Sequence, residues 1–482
     1  MFKRTITTAL AMALAMVTLA FPSGQAQAQH TTTVAPGVWS SAILIQNVST
    51  TSATIEIKFY DSAGTLKKTY PTTLNAKEPV TLYVPDKMSD LASGQYSAVV
   101  SSTAKVIASV QTSSVSQGTG PWTAFAYEGV DSNSTGTKLF FPGNYKGYYT
   151  FNSELVIQNS SESTATTLTV DFYKQDGSKI TTVDLGSLGA NSAKTWAMTD
   201  SIFGALPSGN TGIFGAVVTS SATPIAGIAN IWATSPTNKT ASYNGVTSGT
   251  TSLFAPSLSN NYYGFASALT IQNIDQATTA TGTIEYTNGT KQNFSLAPNA
   301  AQEFYQPNVS GLPSGNTGGS FSAKVTATAG SIVGLVSYSR PLAVDLAGRP
   351  FGDFASYNCA PVASAEVNIP NINNNYYGYF TNVTVQNTGT DTTDIKLTYP
   401  DGKTWTISGV AGGGNANFIH LPNVTTNPYA ASTNISTSAV ASSSNGSLLV
   451  AVIQHNTGAG VTGNNPAKVP SDFLQVFTGT PN

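Results

Sequence analysis

The chain has 482 residues, of which 40% are hydrophobic and only 9% are charged, and its formal net charge is −2. This charge balance leaves no basic surface of the kind that binds nucleic acid. Low charge with abundant aliphatic and aromatic residues is not typical of disorder, and the many Ser and Thr residues suit exposed β-sheet faces. The single cysteine, Cys359, excludes an intrachain disulfide.

The first 28 residues have the pattern of a secretory signal peptide. Lys3 and Arg4 precede an apolar run from Leu10 to Phe21, and Ala26-Gln27-Ala28 follows as a small-residue cleavage site. No later apolar run approaches the ~20 residues of a membrane-spanning helix. We therefore predict a secreted protein, extracellular or held at the cell surface, without a membrane span.

One short phrase occurs four times in the rest of the chain, at steps of 112, 114 and 114 residues. Its copies end in Gln46-Asn47, Gln158-Asn159, Gln272-Asn273 and Gln386-Asn387. Such a step is the length of a small domain and is too long for a solenoid repeat. The chain therefore divides into a signal peptide at 1–28 and four repeats, at 29–137, 138–250, 251–364 and 365–482.

The repeated phrase alternates in the manner of a half-buried strand. Ile43 and Ile45 alternate with Leu44 and Gln46, and the other copies keep this period of two. The pattern places the aliphatic residues inward and the Gln outward. The Asn falls where the strand enters a turn, so its amide can bond nearby backbone.

Further strand and turn signals follow the same order in each repeat. An apolar strand ending in Pro opens each repeat; in the first repeat it is Val34-Ala35-Pro36. Hairpin turns of the Asp-Gly or Asn-Gly type, such as Asp176-Gly177 and Asn288-Gly289, separate later alternating runs. About seven short strands per repeat predict an all-β fold of four tandem antiparallel β-sandwich domains.

The repeats resemble the tandem immunoglobulin-like β-sandwich domains of bacterial cell surfaces and secreted matrices. The resemblance covers all four repeats and rests on the Gln-Asn strand, the Tyr-x-x-Gly hairpin and the closing segment, for example Ala241-Ser242-Tyr243-Asn244-Gly245. It implies roles as spacers, as adhesive modules or as subunits of surface layers and filaments. These are expectations from the fold alone.

Residues with catalytic or metal-binding potential are sparse. His420 and His455 both lie on predicted strands of the fourth repeat, where a metal pair is conceivable, but ordinary strand residues are the favoured interpretation because a third ligand is lacking. We predict no enzyme activity, no metal and no cofactor. Cys359 is interpreted as a buried free thiol, with an intermolecular disulfide as the alternative.

Tyrosine pairs in one loop of repeats two to four exceed what a connector needs. They are Tyr148 and Tyr149, Tyr262 and Tyr263, and Tyr376 and Tyr377. Tyrosine gives contact area at low entropic cost and keeps a polar tip, which suits both interfaces and sugar stacking. Three interpretations stay open: a cap on the sandwich end, a contact between domains or molecules, and a carbohydrate platform.

These features predict a non-enzymatic structural protein of the cell surface, the extracellular matrix or a surface filament. Its expected partners are further copies of itself or other surface components. An adhesin or carbohydrate-binding protein that uses the tyrosine loops is the alternative. In a linear array, the loop of repeat four would be free at the C-terminal tip, where Tyr376 and Tyr377 could join molecules head to tail into a filament.

Overall fold

The computed structural model describes residues 13–19, 38–115, 123–233, 239–340, 343–344, 350–376, 378–432, 434–457 and 474–481. Strand β1 (Ala13–Leu19) precedes the first repeat. The strands of the first repeat are β2 (Val38–Asn47), β3 (Ala53–Tyr60), β4 (Leu66–Leu74), β5 (Pro79–Tyr83), β6 (Tyr96–Ser102), β7 (Val106–Val115), β8 (Ala124–Glu128) and β9 (Val130–Asp131). Those of the second repeat are β10 (Lys138–Tyr148), β11 (Phe151–Asn159), β12 (Thr166–Tyr173), β13 (Lys179–Leu188), β14 (Ala193–Ala197), β15 (Ile213–Ser220), β16 (Ile225–Ala233) and β17 (Lys239–Asn244).

The third repeat contains β18 (Ser252–Tyr262), β19 (Phe265–Asn273), β20 (Ala280–Tyr286), β21 (Lys291–Leu296), β22 (Ala301–Tyr305), β23 (Ser320–Ala329), β24 (Ile332–Ser339), β25 (Ala343–Val344), β26 (Pro350–Phe351) and β27 (Phe354–Asn358). The fourth contains β28 (Glu366–Tyr376), β29 (Tyr379–Asn387), β30 (Thr393–Thr398), β31 (Thr404–Val410), β32 (Asn415–Ile419), β33 (Ile435–Ser443), β34 (Leu449–Thr457), β35 (Gln475–Thr478) and β36 (Thr480–Pro481). The described helices are short: α1 (Val84–Lys87) and 3-10 turns at Ser132–Ser134, Ser201–Phe203, Gly209–Thr211 and Gln306–Asn308.

Each repeat is an antiparallel β-sandwich, which confirms the predicted all-β tandem fold. In repeat two the strand order is β13-β12-β15-β10-β11-β16-β17, and β14 pairs with the other edge of β11. The opening strand β10 belongs to both layers: Phe141 pairs with Ala216 of β15, and Tyr148 pairs with Phe151 of β11. The pairing with β15 shifts register between Phe141 and Asn144, so Pro142 lies where an interrupted ladder tolerates a missing N–H.

Repeats three and four keep this order, with β18 and β28 as their opening strands. In repeat one the sheets are β4-β3-β6-β1-β9 and β5-β2-β7-β8, so Ala13–Leu19 occupies the place beside β6 that an opening strand takes in the other repeats. The predicted opening strand Val34-Ala35-Pro36 lies outside the described residues. The assignment of residues 1–28 to a signal peptide stays a prediction.

The core of each repeat contains the predicted alternating aliphatic residues. Ile43, Ile45, Leu155, Ile157, Leu269, Ile271, Val383 and Val385 are all 0% exposed. The expectation that the four Gln residues face solvent is wrong, because Gln46, Gln158, Gln272 and Gln386 are at most 1% exposed. The reason is that a neighbouring repeat covers the outer face of each Gln-Asn strand.

The four repeats close into a ring around their last strands. Strand β8 contacts β17, β17 contacts β27, β27 contacts β35, and β35 contacts β8. Equivalent residues meet at this centre: Asn244 Nδ2 donates to the carbonyl of Glu128 at 2.9 Å, and Asn358 Nδ2 donates to that of Asn244 at 2.8 Å. The backbone N–H of Thr478 donates to the Glu128 carboxylate, which joins repeat four to repeat one. The repeats are therefore arranged like the subunits of a cyclic tetramer.

Candidate functional site: the repeat interfaces and the tyrosine hairpins

The two polar residues of the repeated phrase have different tasks. The Asn stabilises its own repeat: Asn47 Nδ2 donates to the carbonyls of Thr51, Leu74 and Asn75 at 2.7, 3.3 and 2.8 Å. Asn159 contacts the equivalent carbonyls of repeat two, and Asn273 and Asn387 do the same in repeats three and four. This amide ties the strand end to two loops, as its position at a turn predicted.

The Gln contacts the repeat that precedes its own in the ring. Gln386 Nε2 lies 3.5 Å from the carbonyl oxygen of Ala323 in repeat three. Gln46 Nε2 donates to Ser438 Oγ in repeat four at 3.1 Å, across 392 residues of sequence. The interface that joins repeats three and four thus recurs between four and one, and the ring closes with the same strand faces throughout.

The tyrosine hairpin of repeat two has a half-buried ring and a projecting one. Tyr148 stacks on the buried Tyr145 with centroids 5.7 Å apart, and Tyr149 meets the edge of Tyr148 at 4.7 Å. Tyr149 is 67% exposed and has a φ of 44°, in the left-handed region. The turn therefore directs the second ring away from the sandwich.

Repeat three shows the same arrangement. Tyr262 is half-buried, its ring lies 4.8 Å from that of Tyr263, and Tyr263 is 61% exposed with a φ of 48°. The backbone N–H of Tyr263 donates to Asn316 Oδ1 at 2.8 Å. Asn316 belongs to the Leu312–Gly318 loop, so this contact fixes the hairpin tip against its own repeat.

The base of the hairpin contacts the next repeat. The ring of Phe151 lies 4.5 Å from that of Phe354 in repeat three. Burial raises the pKa of Tyr145 well above its usual range, and a hydrogen bond to Ser337 of repeat three acts against this rise. These contacts belong to the base of the hairpin, and the role of the paired tyrosines themselves stays a prediction.

The hairpin of repeat four is not at a free tip. Tyr376 is half-buried, and Tyr377 lies outside the described residues. Desolvation raises the pKa of the nearby Tyr379 well above its usual range, and Tyr83 of repeat one raises it further. The expectation of a terminal tip is therefore wrong, because ring closure places repeat one beside repeat four.

Both histidines have hydrogen-bond partners within repeat four; His455 lies in β34 as predicted, whereas His420 directly follows the end of β32. His420 Nε2 lies 2.7 Å from the Tyr399 hydroxyl, and His455 Nδ1 lies 2.7 Å from Thr381 Oγ1. Burial lowers the pKa of His420 to about 4 and that of His455 to about 3. Within the described ranges no three His, Cys, Asp or Glu side chains come together as metal ligands.

Cys359 is a buried free thiol, as the favoured interpretation held, and burial raises its pKa to about 12. A second buried ionisable group, Glu154, was not identified from the sequence. It lies in β11, is 1% exposed and accepts a hydrogen bond from Asn230 Nδ2 at 2.8 Å. Burial raises the pKa of Glu154 to about 7. The repeated sequence pattern did not indicate a buried carboxyl group at this position, because the equivalent residues of the other repeats are Ala42, Ala268 and Asn382.

None of the helices in the described part of the chain is long and apolar enough to cross a membrane.

Comparison with protein families and with curated proteins gives no match. Among solved structures, Thermotoga maritima 1070 is similar at 15% identity over 26% of this chain and 96% of its own, with a TM-score of 0.20. A tetra-tandem repeat from the extending region of a large adhesion protein is similar at 11% identity, over 90% of this chain and 93% of its own, with a TM-score of 0.10. The pilus backbone of Streptococcus pneumoniae is similar at 10% identity, over 78% and 86%, with a TM-score of 0.13. Scores this low assign no family and no function to the chain.

Proposed function

We propose that the chain is a secreted, non-enzymatic structural protein of the cell surface, the extracellular matrix or a surface filament, and that its unit is the closed ring. The observation that carries this proposal is the pair of projecting rings, Tyr149 and Tyr263, on a scaffold whose repeats already contact one another around the ring. Tyrosines at such exposure suit contacts with another molecule, since they bury large area at low entropic cost.

The strand pairings relate the position of these tyrosines to the two ends of the ring. Tyr148 pairs with Phe151, and the adjacent Asn152 pairs with Trp232, which pairs with Thr240 near the start of β17. The hairpins therefore lie at the end of the ring where the closing strands begin. Because equivalent residues of a ring share one height, Tyr149 and Tyr263 belong to one end, and that end would form the contact between ring units.

Electron microscopy of the purified protein tests the structural role. We expect sheets or fibres from the unchanged protein, and loss of assembly when Tyr149 and Tyr263 are both changed to Ser. A matched control changes Tyr305 to Ser, because this tyrosine is 38% exposed but lies outside the hairpins. Assembly that survives in the hairpin variant, or an unchanged protein that stays monomeric at all concentrations, would reject the proposal.

Carbohydrate binding at the same hairpins is the second candidate. The observation that favours it is the edge-to-face pair of Tyr262 and Tyr263, which offers a ring face beside an Asn-rich turn. A glycan array would then show binding that Tyr263→Ala removes while the thermal unfolding midpoint stays unchanged. Binding that is equal in the two proteins would place any glycan site elsewhere.

A further inference from the structure

The junction between repeats four and one differs from the junction between repeats two and three. Between repeats two and three, an apolar cluster fills the interface: Phe140, Tyr173 and Val217 of repeat two, with Ile274 of repeat three beside them. Phe140 pairs with Val217, and Asn368 has the corresponding place opposite Val440 in repeat four. A smaller polar residue thus replaces Phe140 where the ring closes.

The hairpin after the second strand is also shorter in repeat four. Val170 pairs with Val218, and Leu397 pairs with the equivalent Ala441, so Tyr399 corresponds to Phe172 and Pro400 to Tyr173. Five positions lead from Phe172 to Gly177, but only three lead from Tyr399 to Gly402, and the hairpin of repeat three, from Tyr286 to Gly289, is equally short.

The longer hairpin reaches the next repeat, and the shorter one does not. A Cβ at Gly177 would lie 2.3 Å from the carbonyl oxygen of Pro298 in repeat three. A Cβ at Gly402 would have no described atom within 4 Å. A cleft of about 370 Å³ lies between repeats four and one, and residues of both repeats line it.

The cleft has a polar lining with a buried, unpaired acceptor. Gln46 is 1% exposed and donates its amide hydrogen to Ser438, but its Oε1 has no hydrogen-bond partner among the described residues. Gln272 and Gln386 also have unpaired amide oxygens at their interfaces, and Gln46 lines the cleft described above. An acceptor in this position is satisfied by a ligand that brings a hydroxyl or N–H.

The charges around the cleft indicate the rest of the ligand. Lys77 and Lys396 line it together with Glu366, Thr398 and Ser442, while Ala439 and Val440 supply a small apolar floor. Lys77 Nζ also donates to the carbonyl of Val48 at 2.6 Å, which holds the ammonium at the edge of repeat one. Two lysines favour a carboxylate, and the hydroxyl and carboxyl groups favour further hydroxyls.

We propose that this cleft binds one or two sugar residues bearing a carboxylate, as in an acidic polysaccharide. The size is within the range of small-molecule sites. The cleft uses none of the tyrosines to which assembly was assigned, so the proposal does not depend on the structural role. A sugar carboxylate lies between Lys77 and Lys396, and a ring hydroxyl donates to Gln46 Oε1.

The test is a titration of the purified protein with glucuronate, followed by saturation-transfer NMR and calorimetry. Glucose, which lacks the carboxylate, and succinate, which lacks ring hydroxyls, are the two comparison probes. We expect glucuronate to bind at least roughly tenfold more tightly than either probe. Glucose can bond only to the buried acceptor and succinate can form only the ion pairs, whereas glucuronate can do both.

Two variants connect the binding to the cleft. Thr398→Trp fills the cleft and should abolish glucuronate binding. Lys396→Met removes one exposed ammonium and should weaken binding roughly tenfold. Lys291→Met is the matched control, because Lys291 is an exposed lysine of repeat three whose partner is Glu285. The unfolding midpoints of all three variants are measured to show that the ring is intact.

Each outcome decides the proposal. Binding that weakens in Lys396→Met and persists in Lys291→Met supports it even if Thr398→Trp fails to fold. Equal binding of glucuronate, glucose and succinate would overturn the ligand chemistry. No glucuronate binding up to tens of millimolar, or binding that Lys396→Met leaves unchanged, would overturn the site. Assembly is scored separately by electron microscopy, so that failure of one proposal leaves the other intact.

Discussion

The side chain of Gln272 packs on the bare backbone of Gly215 in the preceding repeat, with its amide nitrogen 2.7 Å from the position that a Cβ at residue 215 would take. At the junction that closes the ring, the equivalent of Gly215 is Ser438, whose hydroxyl accepts a hydrogen bond from Gln46. The residue opposite the Gln is thus either a glycine, which leaves room for the Gln side chain, or a residue whose side chain forms a hydrogen bond with it. This face of the repeated strand is an interface face.

Gly215→Ala should destabilise the junction between repeats two and three, because its Cβ would collide with the Gln272 amide. We expect a loss of roughly 1–3 kcal/mol, the usual cost of overpacking. Adding Gln272→Ala to the same chain should recover most of this loss, and a double-mutant cycle in urea measures the coupling. Additive losses in the double variant would show that the two residues do not meet.

Ile271→Ala should cost about 2–5 kcal/mol, because Ile271 is 0% exposed in the core of repeat three. Gln272→Ala should cost less, although Gln272 is also fully buried, since neither of its amide atoms has a hydrogen-bond partner among the described residues. Urea denaturation of both variants checks the order. A larger loss for Gln272→Ala would mean that the interface, and not the core, dominates the stability of this repeat.

Small-angle X-ray scattering distinguishes the closed ring from a row of domains. A compact chain of this length has a radius of gyration of about 23 Å, and a row of four domains would be clearly larger. We expect a value near the compact limit. In Gln46→Arg the added bulk and charge at the junction with repeat four should open the ring and raise the value.

Glu154→Gln should stabilise the protein at high pH. Burial raises the pKa of Glu154 from 4.5 unfolded to about 7 folded. A raised folded pKa means that its contribution is fully present below pH 4.5 and is lost as pH rises through 7. The loss is about 3 kcal/mol at most, and Gln removes it.

The measurement is the difference in unfolding free energy between Glu154→Gln and the unchanged protein from pH 4 to pH 9. The contribution of the buried histidines, which weakens the fold as pH falls from 6.5 towards 4, is common to both proteins and cancels. Glu285→Gln, at an exposed carboxyl paired with Lys291, is the control and should show no such rise. A flat difference for Glu154→Gln would contradict the raised pKa.

Cys359 should resist thiol reagents until the protein unfolds. It takes the position of Gly245, where a Cβ would lie 2.4 Å from the Phe141 ring. In repeat three Ala255 replaces that phenylalanine, so the thiol fits into the core. Maleimide labelling should be negligible in buffer and complete in denaturant, and non-reducing gels should show monomers. Rapid native labelling would place Cys359 at the surface.

Much of each sandwich could be predicted from the sequence, because its signals are local. The alternation of Ile43 and Ile45 placed them correctly in the core, and the position of Asn47 at a strand end predicted its bonds to backbone. The ring could not be predicted in the same way. Gln46 and Ser438 are separated by 392 residues, and burial of a polar side chain by a distant repeat leaves no periodic pattern.

The role of the paired tyrosines stays a prediction. The sequence drew attention to these hairpins, whereas the contacts of Phe151 and Tyr145 with the next repeat were not predicted. Which tyrosine projects depends on the left-handed backbone at Tyr149 and Tyr263, residues of a type that usually avoids that conformation. The cleft at the closing junction combines residues that are far apart in the sequence, such as Gln46 and Lys396.

Because the four places in the ring belong to one polypeptide, each can change without the others. A homotetramer of identical subunits repeats every substitution four times, whereas here the centre combines Glu128, Asn244, Asn358 and Thr478. The same freedom admits one cysteine in one core, and hairpins that are shorter in repeats three and four than in repeats one and two. A mutation therefore changes one quarter of this symmetric scaffold at a time, so that specialisation of one quarter leaves three to maintain the fold.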